Sequence, residues 1–217
     1  MKHEPSCDEA TFLRDVATHE MTMLRDDGMY RHIRFKRPES SCMYFDLVTW
    51  PGYLAYSGDM GCYVFSRLDD MFQFFRTDRN HKDEGLRINP GYWSEKLQAV
   101  DGNREDGTAL EFDHSLFDHV IICDYLIPWI REKRDVTTKE ERRDLWETIM
   151  FDVIGADEDN CGHRKQTAAN DFSHYVNSDV GNFEFRDLFD HSFKQYTFRF
   201  LWCCYALAWG IQKYDNR

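Results

Sequence analysis

Between Met29 and Arg76 the apolar positions change their period, and the change predicts a small antiparallel sheet running into a helix. Tyr30 to Lys36 alternates. Ile33 and Phe35 fall on one face, while Tyr30, His32, Arg34 and Lys36 fall on the other. Pro38 to Ser41 breaks the run, and Met43 to Trp50 follows, rich in the branched and aromatic residues that suit a pleated surface. Pro51-Gly52 turns the chain into Tyr53 to Tyr56, and Ser57 to Gly61 turns it again into Cys62 to Ser66. From Asp69-Asp70 the period becomes helical, carrying Met71, Phe72, Phe74 and Phe75. The expected core side of this meander is Ile33, Phe35, Phe45, Leu47 and Val64.

Beyond the meander the pattern is mostly helical. Thr77 to Gly85 reads as a charged loop, and Asn89-Pro90-Gly91 opens a short helix with Tyr92, Trp93 and Leu97 on its apolar side. Asp101 to Thr108, with its glycines, asparagine and acids, is the expected boundary. Ser115 to Arg131 carries a helical stripe that Pro128 should kink or end. Thr137-Thr138-Lys139-Glu140 reads as a capping box ahead of Leu145, Ile149 and Val153. Asp157 to Lys165 reads as a polar loop. The last helix, expected over 191–214, is apolar around most of its circumference and should lie inside the second half. The expected fold class is α+β: an N-terminal antiparallel meander with flanking helices and a mainly helical C-terminal half. The two parts divide as 1–104 and 105–217, or run on as one continuous domain.

Composition narrows the functions open to such a chain. Its 217 residues are 42% hydrophobic and 16% aromatic, enough for a sizeable core. A net charge of −12 disfavours broad binding to nucleic acid by phosphate neutralisation. It leaves open an acidic mimic of DNA. Seven cysteines without a Cys-x-x-Cys pair, and no basic leader ahead of an apolar stretch, predict reduced thiols in a cytoplasm. Phe198 to Ile211 is shorter than the ~20 residues a membrane span needs, so no membrane partner is expected.

Phe45-Asp46-Leu47-Val48-Thr49-Trp50-Pro51-Gly52-Tyr53-Leu54, Gly58-Asp59-Met60-Gly61, Tyr63 to Arg67, Asp70-Met71-Phe72, Ile88 to Trp93 and Lys96-Leu97 resemble a family of small uncharacterised proteins. Its members come from bacteriophages, prophages and other mobile elements of bacteria. The likeness covers about the first half of the chain, and no biochemical activity comes with it. It implies a context, that of a phage accessory protein acting in the cytoplasm of a bacterial host. The leading expectation in that context is a protein that binds a host protein and inhibits a defence system.

The candidate chemistry sits mainly on the polar face of the meander. Tyr30, His32, Arg34 and Lys36 would face Tyr44, Asp46 and Trp50 if those strands pair, with Arg34 and Asp46 as a cross-strand ion pair. The same face, with four cations between Arg31 and Arg37, is the expected place for an anionic ligand, a nucleotide or an acidic protein surface. Tyr53 and Asp59, in or beside the two turns, are further binding candidates, Asp59 as a polar anchor. His114 and His119, five apart, do not share a helix face, and Asp113 reads as a cap. Cys161-Gly162-His163 offers two ligands, too few for zinc. Cys123, Cys203 and Cys204 read as core residues. No Gly-x-Ser-x-Gly elbow places a serine nucleophile, so no catalytic residue is singled out, and neither metal nor cofactor is expected. An enzyme or binder acting on a nucleotide or nucleic acid through the Tyr30, His32 and Arg34 face stays open as the alternative.

Overall fold

The computed structural model describes residues 6–77, 85–101, 109–156 and 162–217. A six-stranded antiparallel meander forms its largest sheet, in the order β1 (Glu20–Asp27), β2 (Tyr30–Lys36), β3 (Phe45–Trp50), β4 (Tyr53–Gly58), β5 (Gly61–Ser66) and β6 (Leu97–Val100). Around it lie α1 (Glu9–Asp15), α2 (Met71–Arg76) and α3 (Pro90–Ser94). The chain continues through β7 (Leu110–Phe112), α4 (His114–His119), α5 (Ile127–Glu132), α6 (Lys139–Ile149) and α7 (His163–Asn170). Then come the hairpin of β8 (Ser173–Asn177) and β9 (Gly181–Glu184), β10 (Lys194–Tyr196), which pairs with β7, and α8 (Phe198–Asp215). The α+β class and the N-terminal meander are as expected. No helix among the described residues is long and apolar enough to cross a membrane.

Two compact units result. One contains Met1–Leu110 together with Tyr196–Arg217; the other is Glu111–Gln195. The expected boundary segment falls largely at 102–108, outside the described residues. The last helix departs from expectation: α8 packs on the meander and not inside the second half. Its Phe200, Trp202, Cys203, Leu207 and Ile211 share one buried cluster with Ile33, Phe35, Phe45, Leu47, Leu54 and Tyr56. The helix also starts later than 191, at Phe198, because Thr197 caps it by accepting from the Phe200 amide at 3.2 Å. A helix apolar on nearly all sides needs a large apolar surface, and the aromatic inner face of the sheet provides one. Ring pairs such as Phe35–Phe45 (4.8 Å) and Phe45–Trp202 (5.6 Å) fill the layer between them. At Gly210 a Cβ would lie 2.9 Å from Leu47 Cδ1, so the absence of a side chain lets α8 approach the sheet closely.

Parity decides which residues face this core. The pair Gly58–Gly61 closes the β4–β5 turn and sets Tyr56 opposite Tyr63, both buried. Val64, expected on the core side, therefore lies on the outer face, and Tyr63 and Phe65 take the inner positions.

The unit Glu111–Gln195 has its own core of Phe117, Ile121, Leu126, Leu145, Ile149, Val153, Phe183 and Phe193. The disturbance expected at Pro128 takes the form of a π-helical segment, Val120–Leu126, directly ahead of α5, whose first turn contains the proline. The capping box of α6 is Thr138 with Glu141, one residue beyond the expected tetrad. Asp113 caps α4, accepting from the Leu116 amide at 2.9 Å. Lys165, expected in a polar loop, is buried in α7 and donates to Asp118 at 2.8 Å. Of that loop, 157–161 lie outside the described residues, Cys161 included. Cys203 and Cys204 are buried as expected, whereas Cys123 is exposed on the π-helical segment.

Candidate binding face of the meander

One face of the six-stranded sheet is covered by α8; the other carries the outward residues of every strand. Along β2 the pattern is strict, with Arg31, Ile33 and Phe35 buried and Tyr30, His32, Arg34 and Lys36 outward. From β3, Asp46, Val48 and Trp50 share that outer face, and from β4, Tyr53, Ala55 and Ser57. The register sets Arg34 opposite Asp46, His32 opposite Val48 and Trp50 opposite Tyr53.

Three of the expected site residues meet in one cluster. Arg34 donates from Nε and Nη2 to the two Asp46 carboxylate oxygens, each at 2.8 Å. His32 donates from Nε2 to Asp46 Oδ2 at 2.9 Å. Burial pushes the Asp46 carboxyl up, but Arg34 and His32 outweigh it and hold the group below the usual carboxylate range. A carboxylate ionised and bonded in this way orients two side chains and takes up no proton near neutrality, so it is poorly suited as a general base. In the same cross-strand row, Ser57 lies opposite Cys62, whose thiol is pushed up by burial and by Asp101 and so stays protonated at neutral pH.

Trp50 and Tyr53 form a second cluster at one end of the sheet. Their rings stack with centroids 5.3 Å apart and planes 16° from parallel. Since Arg31 pairs with Thr49, Tyr30 lies beside Trp50 at this end, with the Arg25 guanidinium 5.1 Å above its ring. The turns close the group. Thr49 Oγ1 donates to the Met29 carbonyl at 2.7 Å, and the Gly52 amide donates to the Asp69 carbonyl at 2.9 Å, bringing Met29 and Leu68 to the same end. Met29 (37% exposed), Tyr30 (44%), Tyr53 (38%) and Leu68 (42%) all present apolar surface there. Between the clusters runs a row of half-buried small residues, Val48, Ala55 and Val64.

Other expected residues lie elsewhere. Lys36 is exposed at the far end of β2, opposite Glu20. Asp59 belongs to the turn at the opposite end of β4 from Tyr53. Its Oδ2 accepts from the Met43 amide at 2.7 Å, and its own amide donates to the Tyr44 carbonyl at 3.1 Å, so it anchors backbone. Arg31 sits on the buried face, where it donates to both Asp70 oxygens at 2.8 and 3.0 Å and to the Tyr214 hydroxyl at 3.3 Å.

Arg25, Met29 and Leu68 join the face from segments that carry no motif. The alternation of Met21 and Met23 with polar neighbours is the signal that marks β1 as a strand. Among the described residues, no group of three His, Cys, Asp or Glu side chains converges to hold a metal ion. No family model matches the chain, and neither the curated proteins nor the solved structures contain a match to it.

Proposed function

We propose that this protein is a non-enzymatic binding protein that engages a protein partner through the outer face of its meander, with the Trp50–Tyr53 end as the anchor. The observation that carries this reading is the gathering of Met29, Tyr30, Trp50, Tyr53 and Leu68 at one end of the sheet face that α8 does not cover. Buried aromatic anchors surrounded by polar groups supply most of the energy of protein interfaces. Aromatic rings lose little rotamer entropy on docking.

The cations of the same face speak against an anionic ligand such as a nucleotide. Arg34 is matched by Asp46, Arg25 lies 3.2 Å from Asp27, and Lys36 has Glu20 opposite in register. Little uncompensated positive charge remains to recruit phosphate. Nor does this face favour DNA mimicry, since its Asp46 and Asp27 are paired with Arg34 and Arg25. In the context implied by the family resemblance, the partner is a protein of a bacterial host, met in its cytoplasm, and the outcome is interference with host defence.

The test is affinity capture from bacterial lysate with the wild-type chain and with a Trp50→Ala/Tyr53→Ala variant. A partner retained by the wild type and lost with the variant is expected, with the variant's melting temperature changed by only a few degrees. Equal capture by both chains, or turnover of a nucleotide substrate that His32→Ala abolishes, defeats the proposal.

A further inference from the structure

The end of the sheet opposite the aromatic cluster holds a loop in two unfavourable backbone conformations. Between β2 and β3, Glu39 has φ 56° and Met43 has φ 58°, the left-handed region that side chains with a Cβ rarely occupy. Such conformations persist only where the surroundings hold them. Here the Met43 amide donates to Asp59 Oδ2 at 2.7 Å, and the Asp59 amide donates to the Tyr44 carbonyl at 3.1 Å. The Met43 carbonyl is held by His19, just ahead of β1, whose Nε2 lies 2.9 Å from it.

A carbonyl oxygen only accepts, so Nε2 of His19 must carry the proton, and in the neutral ring Nδ1 is then bare. That Nδ1 is buried and has no hydrogen-bond partner among the described residues. A second proton would create a buried N–H with no acceptor, a state that costs the full desolvation of the group. We propose that His19 is an acid-sensitive catch for the β2–β3 loop, holding it while neutral and releasing it on protonation.

Among the described residues, the charged groups acting on His19 are Asp15, from α1, and Arg37, just past β2. Burial pushes the imidazole below its ordinary value of 6.5, the Met43 carbonyl opposes this, Arg37 adds to it and Asp15 opposes it; the net direction is down. The released loop binds a proton near the ordinary value and the held loop only below it. The catch is therefore at full strength above pH 6.5 and weakens as the pH falls below that. Ion-paired carboxylates such as Asp46 and Asp70 stay charged through this window, so the loop opens before the sheet. Release frees Met43, whose side chain packs at the margin of the sheet–helix core. None of this depends on the aromatic end of the sheet.

Amide exchange read by NMR tests the catch. Between pH 7.5 and 5, the protection factor of the Met43 amide should fall about tenfold relative to that of the core residue Leu47 in the wild type. In His19→Gln, which donates without titrating, it should stay constant. A wild-type loop that keeps its protection, or an equal fall in His19→Gln, overturns the proposal. If the variant does not fold, the wild type decides alone. The titration midpoint of the His19 ring must then coincide with that of loop protection, and midpoints separated by about one unit or more overturn it.

Discussion

Arg31 and Arg34 are three residues apart on one strand and have unlike roles, because alternation sends them to opposite faces. Arg34 is half-exposed and meets Asp46 at the surface, where a cross-strand pair contributes only ~0.2–1 kcal/mol. Arg31 is buried, forks onto Asp70, and lies over the Phe72 ring at 4.7 Å. Arg31→Met should cost about 3 kcal/mol at neutral pH, the low end for breaking a buried pair, since Asp70 keeps some solvent. Burial pushes Asp70 up, but Arg31 and the Phe72 amide more than offset it and hold the carboxyl below its ordinary value of 3.8. The stability from this pair is present above that value and is lost as the pH falls through the lower native one. Urea titrations at pH 7 and near pH 2 should therefore show a large difference between wild type and variant at pH 7, shrinking at the acid end. An equal difference at both pH values would mean that Arg31 acts by packing alone.

At the scale of elements, the meander is built from short turns whose residues have distinct tasks. Gly52, at φ 85°, makes the two-residue β3–β4 turn that brings Trp50 against Tyr53. Gly58 serves a different need: a Cβ there would lie 2.2 Å from the Tyr44 carbonyl oxygen and 2.8 Å from Phe45 Cα. Both are backbone atoms and cannot swing aside. Gly58→Ala should destabilise the protein by about 2–3 kcal/mol, seen as a lower denaturation midpoint with an unchanged denaturant slope. Gly28→Ala makes the useful contrast. Nothing lies within 4 Å of its Cβ, so only the strain of φ 61° is left and the loss should be smaller. The outer edge strand β1 is guarded by a bulge between Met23 and Arg25 and by its charges, which disfavours open-ended pairing with another strand.

At the scale of the whole molecule, the chain enters the unit Glu111–Gln195 and returns, so the meander is completed only by α8. A fragment ending at Leu110 lacks Phe200, Trp202, Leu207 and Ile211 and leaves the aromatic inner face without cover. It should be unfolded or aggregated by circular dichroism. The Thr197 amide donates to the Ala109 carbonyl at 3.0 Å, so the two ends of the excised segment lie side by side. Replacing 111–195 by a short Gly/Ser turn should therefore restore a cooperatively melting protein. A folded 1–110 fragment would show instead that α8 is dispensable to the meander.

Much of the meander was legible because a strand announces itself locally: two residues suffice to define a period, and Pro51-Gly52 or Gly58 to Gly61 marks each turn. The Arg34–Asp46 contact could be anticipated once β2 and β3 were set antiparallel. Asp113 could be read as a cap, since capping involves only its own first turn. The place of α8 could not be read in this way. An apolar helix states that it must be buried and says nothing of the partner, which lies more than a hundred residues away along the chain. The outward turn of Val64 hung on the single-residue parity of the β4–β5 turn. The aromatic end of the sheet joins three turns separated in sequence, and the bare Nδ1 of His19 is a fact of three-dimensional packing. Periods, turns and caps follow from the order of the residues, because each depends on neighbours along the chain. The tertiary structure alone decided which faces are covered and which polar groups are left without partners, because burial is a property of the packed whole.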